Sequence, residues 1–384
     1  MKVLWLAPIP FIDDSVSHPA PWIITLAKAL VDSGVDLTIL NYNSKIVDEI
    51  VKKEFNGINL IYIKTPKLKL DILTFYKVRI KKVKNYLNMS IDDYDLIHIH
   101  GSEHQYEVMV SKFTIPKVIS IQGIINEYIK ILPVLSNYKT YIEWKIASIY
   151  EKKYLSKYKY FSCRTHWDTG YIKSVNSKAK IYNIWEMIRK DFFQDHFSED
   201  SNKILFVGGK NPIKGLKELL FAFNDSLQNK GLKLIILGNC TVADLNEIVI
   251  RFNLQSIDMD SIDCRGLQDA SGMIKAYDES FCLVHPTYID NSQNSICEAQ
   301  LAGLPVIAAD VGGVSSLIRN EETGLLVGRD SQEIAYAVDR LLNDDKLREC
   351  ISQRSRQVSR QRHDPDLILQ QTLDMYNDML SDKQ

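Results

Sequence analysis

The chain has 384 residues, of which 45% are hydrophobic and 25% are charged, and its formal net charge is −1. This is an ordinary globular composition with enough apolar residues for two cores, and it argues against a chain that depends on disulfide staples. No apolar run approaches the roughly 20 residues that a bilayer requires, so no transmembrane helix is expected.

Charged and sulfur-bearing residues are distributed unevenly along the sequence. Residues 1–190 contain 28 Lys and Arg against 18 Asp and Glu, a balance of +10, whereas residues 191–384 have a balance of −11. This asymmetry predicts two domains with different partners.

The six cysteines are scattered without metal-ligand spacing, which indicates reduced thiols and a cytoplasmic protein.

In the first half of the chain, short apolar runs alternate with helical patterns. A helix is expected over 21–34, and strands are expected over 2–8, 35–41, 95–101 and 117–123. Both faces of these strands are apolar, which is typical of a parallel sheet covered by helices on both sides.

The densest basic stretch lies at 64–87. Apolar residues recur there at helical spacing, namely Ile72, Tyr76, Ile80, Val83 and Leu87. The opposite face of the expected helix carries Lys77, Lys81 and Lys84. Two interpretations stay open: a solvated helix face, or a surface that contacts an anionic membrane or a phosphate-bearing lipid acceptor.

The same alternation repeats in the second half. Helices are expected over 214–227, 295–303 and 365–380, and strands over 203–209, 233–239, 280–286, 305–310 and 323–327. The segment 187–202 between the two series is polar and irregular. The repetition predicts two doubly wound α/β domains of similar size, at 1–188 and 200–362.

Ligands of such sheets bind beyond the carboxyl ends of the strands, so the loops after the strands are the candidate sites. After the strand at 203–209 come two glycines and two lysines, Gly208, Gly209, Lys210 and Lys214. A glycine turn, lysines and a helix start form an anion site, although a tight turn with surface lysines has the same pattern. Neither G-x-G-x-x-G nor a Walker motif is present here, which disfavours a dehydrogenase and a phosphate-loop ATPase.

A second candidate loop spans 285–313. Asp290 precedes Glu298 by seven intervening residues, and we expect Glu298 in the first turn of a helix, where both acids can face one pocket. Asn291 and Ser292 supply hydrogen-bond donors near that helix start. Carboxylates accept hydrogen bonds from sugar hydroxyls, and N–H groups bind phosphate oxygens. A further glycine turn, at Gly312 and Gly313, follows the next strand.

These motifs resemble the retaining GT-B glycosyltransferases of family 4, the glycosyl transferases group 1. The family has an acid, seven residues and a Glu before an "EA…AxGxPV" run, which corresponds here to Asp290, Glu298 and AQLAGLPV at 299–306. Its phosphate loop, G-R-L-x-x-x-K-G, is matched at Gly208, Lys214 and Gly215. The segment 163–189 resembles a bacterial subgroup that makes surface polysaccharides.

The resemblance implies a GT-B fold: two Rossmann-like domains that face a cleft, with the carboxyl-terminal helix, 365–384, crossing back to the amino-terminal domain. It also implies residue roles. Lys214 would neutralise the diphosphate leaving group, Glu298 would hold the donor ribose, and Asp290 would hold donor-sugar hydroxyls. The remaining donor-binding positions are Gly208, Gly209, Lys210, Asn291, Ser292, Gly312 and Gly313.

Three departures from the family pattern affect these expectations. The first acid is Asp290 where the family usually has Glu. Gly209 replaces the arginine of the phosphate loop, so we expect Lys210 to supply that charge without its planar, two-pronged grip. Gln122 replaces a histidine, which argues against an obligatory imidazole base. The acceptor-side residues are expected to be Gln122, His100 and Arg164.

The resulting hypothesis is a bacterial hexosyltransferase that uses a nucleotide-sugar donor, such as a UDP-sugar, and a glycan or lipid-linked acceptor, with retention of configuration. It would act in surface polysaccharide biosynthesis without a metal or other cofactor. It would be cytoplasmic, with peripheral contact to the inner face of the membrane through 64–87, and would bind no nucleic acid. The alternatives are a non-catalytic sugar-nucleotide-binding protein and a nucleotide-sugar epimerase on the same fold.

Overall fold

The computed structural model describes residues 1–12, 20–132, 138–194 and 201–382. The chain divides into two compact units. The amino-terminal unit comprises Met1–Met187 together with Asp364–Gln384, and the carboxyl-terminal unit comprises Ile188–His363. Of the expected segments, residues 195–200 in the polar junction and residues 383–384 at the end of the last helix lie outside the described residues.

The amino-terminal unit is built on an eight-stranded sheet with the order β3-β4-β2-β1-β5-β6-β7-β8. All neighbours are parallel except β3 and β4, which form an antiparallel hairpin. The strands are β1 (Lys2–Leu6), β2 (Asp36–Asn43), β3 (Ile50–Phe55), β4 (Ile58–Lys64), β5 (Leu96–His100), β6 (Lys117–Ser120), β7 (Tyr160–Cys163) and β8 (Lys180–Asn183). The central strands are buried on both faces, as the apolar runs at 2–8 and 95–101 predicted.

Helices cover this sheet. They are α1 (Pro21–Asp32), α2 (Leu68–Leu73), α3 (Lys77–Ser90), α4 (Tyr106–Met109), α5 (Ile125–Tyr128), α6 (Tyr138–Tyr154), α7 (His166–Val175) and the last helix of the chain, α14 (Pro365–Ser381). The helix α14 buries Ile368, Met375 and Met379 in the same hydrophobic cluster as Trp5 of β1. The indole of Trp5 also donates a hydrogen bond to the hydroxyl of Tyr376, at 3.0 Å. Apolar burial and this bond attach α14 to the amino-terminal unit.

The carboxyl-terminal unit contains a six-stranded parallel sheet with the order β11-β10-β9-β12-β13-β14. Its strands are β9 (Lys203–Val207), β10 (Lys233–Leu237), β11 (Ile262–Gly266), β12 (Cys282–His285), β13 (Val306–Ala309) and β14 (Leu325–Val327). Its helices are α8 (Leu216–Ala222), α9 (Val242–Arg251), α10 (Ala270–Asp278), α11 (Asn294–Ala302), α12 (Ser331–Asn343) and α13 (Asp345–Arg362).

Two of the expected helices differ from those observed. The pattern at 64–87 predicted one helix, but the chain forms α2 and α3, separated by Phe75 and Tyr76, which both have positive φ. The pattern at 214–227 predicted a helix from Lys214, but α8 begins at Leu216 after a left-handed Gly215 and continues into a π-helical turn. In each case a left-handed residue interrupts the helical hydrogen-bond ladder.

Within the described part of the chain, no helix combines the length and the apolar character that a membrane crossing requires.

Candidate active site

Three adjacent parallel strands of the carboxyl-terminal unit bring three loops to one edge of the sheet. The strand β12 lies between β9 and β13, and all three run in the same direction. Their carboxyl ends therefore lie side by side. The loops that leave them are 208–215, 286–293 and 310–313, and these contain most of the residues that the sequence singled out for donor binding.

The turn after β9 requires glycine because it touches the neighbouring strand's exit loop. Gly209 has φ of +55°, and a Cβ there would lie 2.6 Å from the backbone nitrogen of Asn239. A Cβ on Gly208 would lie 2.7 Å from the Cβ of Lys214. An arginine at position 209, as in the family pattern, would therefore clash with the backbone of Asn239 in this structure.

Lys214 reaches across to the loop that follows β12. Its ammonium donates to Oδ2 of Asp290 at 2.6 Å and to Oε1 of Gln293 at 2.7 Å. The two loops also touch directly, since a Cβ on Gly215 would lie 2.0 Å from the carbonyl oxygen of Pro286. The structure thus brings together Lys214 and Asp290, which are 76 residues apart in sequence.

The Asp290 carboxylate is buried, with 6% of the residue exposed. Burial alone would raise its pKa, but the Lys214 ammonium and the His285 imidazole lower the pKa to about 2. His285 is fully buried, which lowers its own pKa, and its Nε2 lies 3.3 Å from the carboxylate. The site therefore holds an ionised Asp290 between a cation and a neutral imidazole that donates from Nε2.

The glycine turn after β13 contacts the backbone of Asp290. The backbone N–H of Gly313 donates to the carbonyl oxygen of Asp290 at 2.9 Å. Gly312 has φ of +56°, and a Cβ there would lie 2.1 Å from that carbonyl oxygen. The two glycines thus fix the backbone of Asp290 from the far side of the loop.

Asn291 and Ser292 continue from Asp290 toward the start of α11, and both are buried. Within the described residues, the hydroxyl of Ser292 has no hydrogen-bond partner. Gln293, which precedes the first residue of α11, accepts from Lys214 and donates to the hydroxyl of Ser295 at 3.3 Å. Lys214 and Asp290 consequently lie beside the amino-terminal end of α11, where backbone N–H groups favour a bound anion.

Glu298 lies deeper along α11 than the sequence predicted. The helix begins at Asn294, so Glu298 is its fifth residue, and the expectation that it occupies the first turn is wrong. Its Oε1 lies 3.1 Å from the guanidinium of Arg189, and its Oε2 accepts from Tyr277 at 3.3 Å. Arg189 and Tyr277 are therefore the first neighbours of this carboxylate, and sequence reasoning had assigned no binding role to either.

Lys210 points away from Asp290 and toward the helix α9. Its ammonium pairs with Asp244 in the first turn of α9, at 2.6 Å, and its side chain is 47% exposed. Lys210 therefore does not occupy the place expected for the phosphate-loop arginine in this structure. Lys214, by contrast, already faces Asp290 and the start of α11.

The three acceptor-side residues expected from the sequence lie together in the amino-terminal unit. His100, Gln122 and Arg164 line one narrow crevice. His100 is buried and stacks on His98 with ring centroids 4.2 Å apart, and its Nε2 has no hydrogen-bond partner among the described residues. Arg164 is paired with the buried Glu186 at 2.7 Å.

A larger pocket of about 470 Å³ adjoins the same residues. His100 and Gln122 also line this pocket, together with Glu103 and two tryptophans, Trp22 and Trp144. Sequence reasoning missed Glu103, although it follows β5 by three residues and the rule of strand carboxyl ends would have indicated it. Aromatic faces and hydrogen-bonding side chains together suit a ligand that carries hydroxyl groups.

A buried carboxylate outside the pocket holds its two loops in place. Glu151 of α6 accepts hydrogen bonds from the hydroxyl of Ser102 at 2.6 Å and from the backbone N–H of Ile125 and Asn126, both at 2.9 Å. Ser102 belongs to the loop after β5, and the other two belong to the start of α5. Glu151 therefore positions the segments that carry Glu103 and Gln122.

In the described parts of the chain, no group of three or more His, Cys, Asp or Glu side chains is arranged to hold a metal ion. The acidic pair Asp258 and Asp260, which resembles a metal motif in sequence, instead forms a short exposed turn in which Oδ1 of Asp258 accepts from the N–H of Asp260 at 3.1 Å.

Comparison with known proteins connects this geometry to a family. Residues 201–344 match the family model described as glycosyl transferases group 1. Over 376 residues the chain is 24% identical to an uncharacterized glycosyltransferase of Methanocaldococcus jannaschii, covering 91% of this chain and 92% of that protein. It is 29% identical over 189 residues to the capsular polysaccharide biosynthesis glycosyltransferase CapM of Staphylococcus aureus, covering 48% of each.

Solved structures are similar over the whole chain. Sucrose-phosphate synthase from Thermosynechococcus elongatus matches with a TM-score of 0.80 at 18% identity, covering 99% of both chains. The Anabaena protein HepE, in complex with UDP and glucose, matches with a TM-score of 0.71 at 16% identity, covering 98% of this chain and 99% of that one. The two-domain α/β fold of GT-B type expected from the sequence is therefore confirmed.

Proposed function

We propose that this glycosyltransferase, whose residues 201–344 match the family model described as glycosyl transferases group 1, transfers a hexosyl unit from a UDP-sugar to a glycan or lipid-linked acceptor. The configuration at the anomeric carbon would be retained, as in the family that the sequence resembles. The donor would bind the carboxyl-terminal unit, and the acceptor would bind the amino-terminal unit.

The observation that carries this proposal is the ion pair of Lys214 and Asp290 at the amino-terminal end of α11. An ammonium group has three N–H donors, and two of them are used by Asp290 and Gln293. The third is available to a phosphate oxygen of a donor. A carboxylate accepts about four hydrogen bonds, so Asp290 has capacity for sugar hydroxyls while it remains paired with Lys214.

The proposed chemistry breaks the bond between the anomeric carbon and the diphosphate oxygen. Negative charge then develops on the leaving diphosphate, and positive charge develops on the sugar ring. Lys214 and the first N–H groups of α11 lie fixed before the reaction, so they stabilise the leaving group without reorganisation. The acceptor oxygen forms the new bond to the anomeric carbon, and its hydroxyl proton passes to the departing phosphate or to solvent. This arrangement supports a reaction without a metal ion.

Glu298 would accept hydrogen bonds from the ribose of the donor. The guanidinium of Arg189, 3.1 Å away, orients this carboxylate. We assign Gly312 and Gly313 to the border of the nucleotide, because they brace Asp290 at the same sheet edge. Asn291 and Ser292 would supply further donors to the sugar or the phosphates.

The choice of donor and acceptor is supported by the neighbours' own ligands and names. HepE has been solved with UDP and with UDP-glucose, and the name of CapM places that protein in capsular polysaccharide biosynthesis. We therefore propose a UDP-hexose donor and a role in bacterial surface polysaccharide biosynthesis. A lipid-linked acceptor would place the enzyme at the cytoplasmic face of the membrane, with the basic segment 64–87 as its peripheral contact.

A panel of nucleotide sugars tests the donor assignment. A ligand that binds only the folded state raises the melting temperature, so a UDP-hexose should stabilise the protein more than UDP alone or a GDP-hexose. Glu298→Gln keeps the size of the side chain and its contact with Tyr277, and it should reduce this stabilisation. The shift is measured from the variant's own melting temperature without ligand, which should fall because the partly buried Arg189 loses its charged partner.

The outcome that contradicts the site is equal stabilisation of the Glu298→Gln variant and the parent by the same donor. Turnover of the donor separates the remaining alternatives. Conversion of the sugar without an acceptor would indicate an epimerase, and binding without any turnover in the presence of glycan acceptors would indicate a non-catalytic binding protein.

A further inference from the structure

A groove on the amino-terminal unit lies between α3 and α6, with a volume of about 530 Å³. Val108 and Met109 of α4 form its buried floor, and Tyr150 and Tyr154 belong to the α6 wall. None of these residues lines the two acceptor-side pockets described above.

Five lysines line this groove, and we call it the lysine groove. They come from three segments of the chain and are Lys77, Lys81, Lys84, Lys112 and Lys153. Among the described residues that line the groove, none is acidic. None of the five ammonium groups forms an ion pair with a described carboxylate. By contrast Lys82, on another face of α3, pairs with Glu49 at 2.7 Å. The groove therefore concentrates positive charge that the protein does not neutralise.

The lysines also crowd one another. Partial burial lowers the pKa of Lys84, and the nearby ammonium of Lys112 lowers it further. Two cations from different segments that repel each other in this way would both be stabilised by an anion between them.

Three exposed apolar residues lie in or just before the helices α3 and α6 that form the groove. They are Leu73, Phe75 and Ile149, exposed by 76%, 53% and 55% respectively, and we call them the apolar shoulder. The hydroxyl of Tyr150, next to Ile149, donates to the carbonyl oxygen of Phe75 at 2.6 Å, which fixes the α2–α3 junction against α6. Large apolar side chains that stay exposed in neighbouring segments are typical of an interaction surface.

We propose that the lysine groove and the apolar shoulder form one docking face for an anionic lipid bilayer. The lysines would bind headgroup phosphates, and Leu73, Phe75 and Ile149 would enter the boundary between headgroups and acyl chains. This inference rests on the proposed lipid-linked acceptor, because docking would bring the enzyme to a substrate that cannot leave the membrane. It also extends the contact beyond segment 64–87 to Lys112, Ile149 and Lys153.

The lysines and the exposed apolar side chains together favour an anionic bilayer over other anionic ligands. A free phosphate would pair with two of the lysines, such as Lys84 and Lys112, but would leave the other three and the apolar shoulder without a partner. A nucleic acid would use the lysines but would leave aliphatic side chains such as Leu73 and Ile149 in water. A bilayer with anionic headgroups satisfies both surfaces at once.

Sedimentation with lipid vesicles tests the docking face on the full chain. The protein should bind vesicles that contain phosphatidylglycerol and should bind pure phosphatidylcholine vesicles weakly. The triple variant Lys81→Gln, Lys112→Gln, Lys153→Gln removes exposed charges from all three segments. Since each lysine near an anionic surface contributes about a fivefold factor in affinity, the variant should bind about 100-fold more weakly. The double variant Leu73→Ser, Phe75→Ser should lose about tenfold.

A matched control replaces three exposed lysines elsewhere, in the variant Lys28→Gln, Lys52→Gln, Lys178→Gln, which should bind vesicles like the parent. Equal losses in the control and the groove variant would contradict the docking face, since only net charge would then matter. Full vesicle binding by the groove variant, or tighter binding of the parent to single-stranded oligonucleotides or inorganic phosphate than to vesicles, would also overturn it. Stabilisation by the UDP-hexose is measured in parallel, so loss of docking and failure of the donor assignment are told apart.

Discussion

The candidate sites of the two units differ in how they hold ionisable side chains. In the carboxyl-terminal unit, Asp290 is kept charged by Lys214, and Glu298 is paired with Arg189. In the amino-terminal unit, burial lowers the pKa of His98 to about 3 and that of His104, which lines the larger pocket, to about 4, and burial raises the pKa of Glu103 to about 7. The first site thus keeps the carboxylate of Asp290 charged, whereas burial in the second favours the neutral forms of its histidines and of Glu103.

This difference matches what each unit would bind. A diphosphate carries charge that must be met by fixed cations, and the loops after β9 and β12 supply one that is already in place. Sugar hydroxyls are neutral and need donors and acceptors more than net charge, which neutral histidines and a partly protonated carboxyl provide. These electrostatics support the proposal that the donor binds the carboxyl-terminal unit and that an uncharged part of the acceptor binds the amino-terminal unit.

The largest effect should follow from removing the fixed cation. In Lys214→Ala, the leaving diphosphate loses its ammonium partner, so kcat should fall by about 100- to 1000-fold, as when one preorganised donor is removed in other enzymes. Initial rates over a range of donor concentrations measure this change. Lys217→Ala, on the exposed part of the adjoining helix α8, is the matched control and should retain the parent rate.

A kcat for Lys214→Ala within about threefold of the parent would contradict the proposed role of Lys214, because its charge would then contribute little to transfer.

The next effect concerns pH and the amino-terminal unit. Burial raises the pKa of Glu103 from 4.5 to about 7, so the folded state binds a proton that the unfolded chain releases. Its contribution to the free energy of unfolding is full below pH 4.5 and is lost as the pH rises toward 7. Between pH 5 and pH 8 the parent should therefore lose about 2 kcal/mol relative to Glu103→Gln.

Urea unfolding of both proteins at several pH values measures that difference. The amide of Glu103→Gln can still accept from the backbone N–H of Gly123, as the carboxylate does at 2.7 Å, so the variant keeps the local bond and removes only the titration. Glu127→Gln, on α5, controls for a generic loss of negative charge. Parallel pH profiles for the parent and Glu103→Gln would show that Glu103 is ionised like an exposed carboxyl.

Local patterns in the sequence predicted much of this architecture. The apolar runs at 2–8 and 203–209 correspond to β1 and β9, because a strand buried on both faces needs a continuous apolar stretch. The hairpin of β3 and β4 was missed, although Asn56 and Gly57, both with positive φ, form the Asn-Gly turn that is the strongest short-range hairpin signal. The Asn-Gly pair was therefore a sufficient local signal for this hairpin.

Other features depend on contacts between distant residues and have no local signal. The break between α2 and α3 is one example: the hydroxyl of Tyr150 donates to the carbonyl oxygen of Phe75 at 2.6 Å, and the guanidinium of Arg79 stacks 4.4 Å from the ring centroid of Tyr42. The pairing of Arg189 with Glu298, 109 residues away, is another. Such contacts follow from strand order and register, which periodicity alone does not define.

Lys210 provides the smallest and most discriminating prediction. Sequence reasoning assigned it the charge of the missing arginine, but its ammonium pairs with Asp244 on an exposed surface, and such pairs contribute little to binding or stability. Lys210→Ala should therefore change the dissociation constant of the UDP-hexose by less than about twofold. Isothermal titration of the parent, Lys210→Ala and Lys214→Ala with one donor makes the comparison. A tenfold weakening by Lys210→Ala would mean that Lys210 leaves Asp244 when the donor binds, and two cations rather than one would then hold the diphosphate.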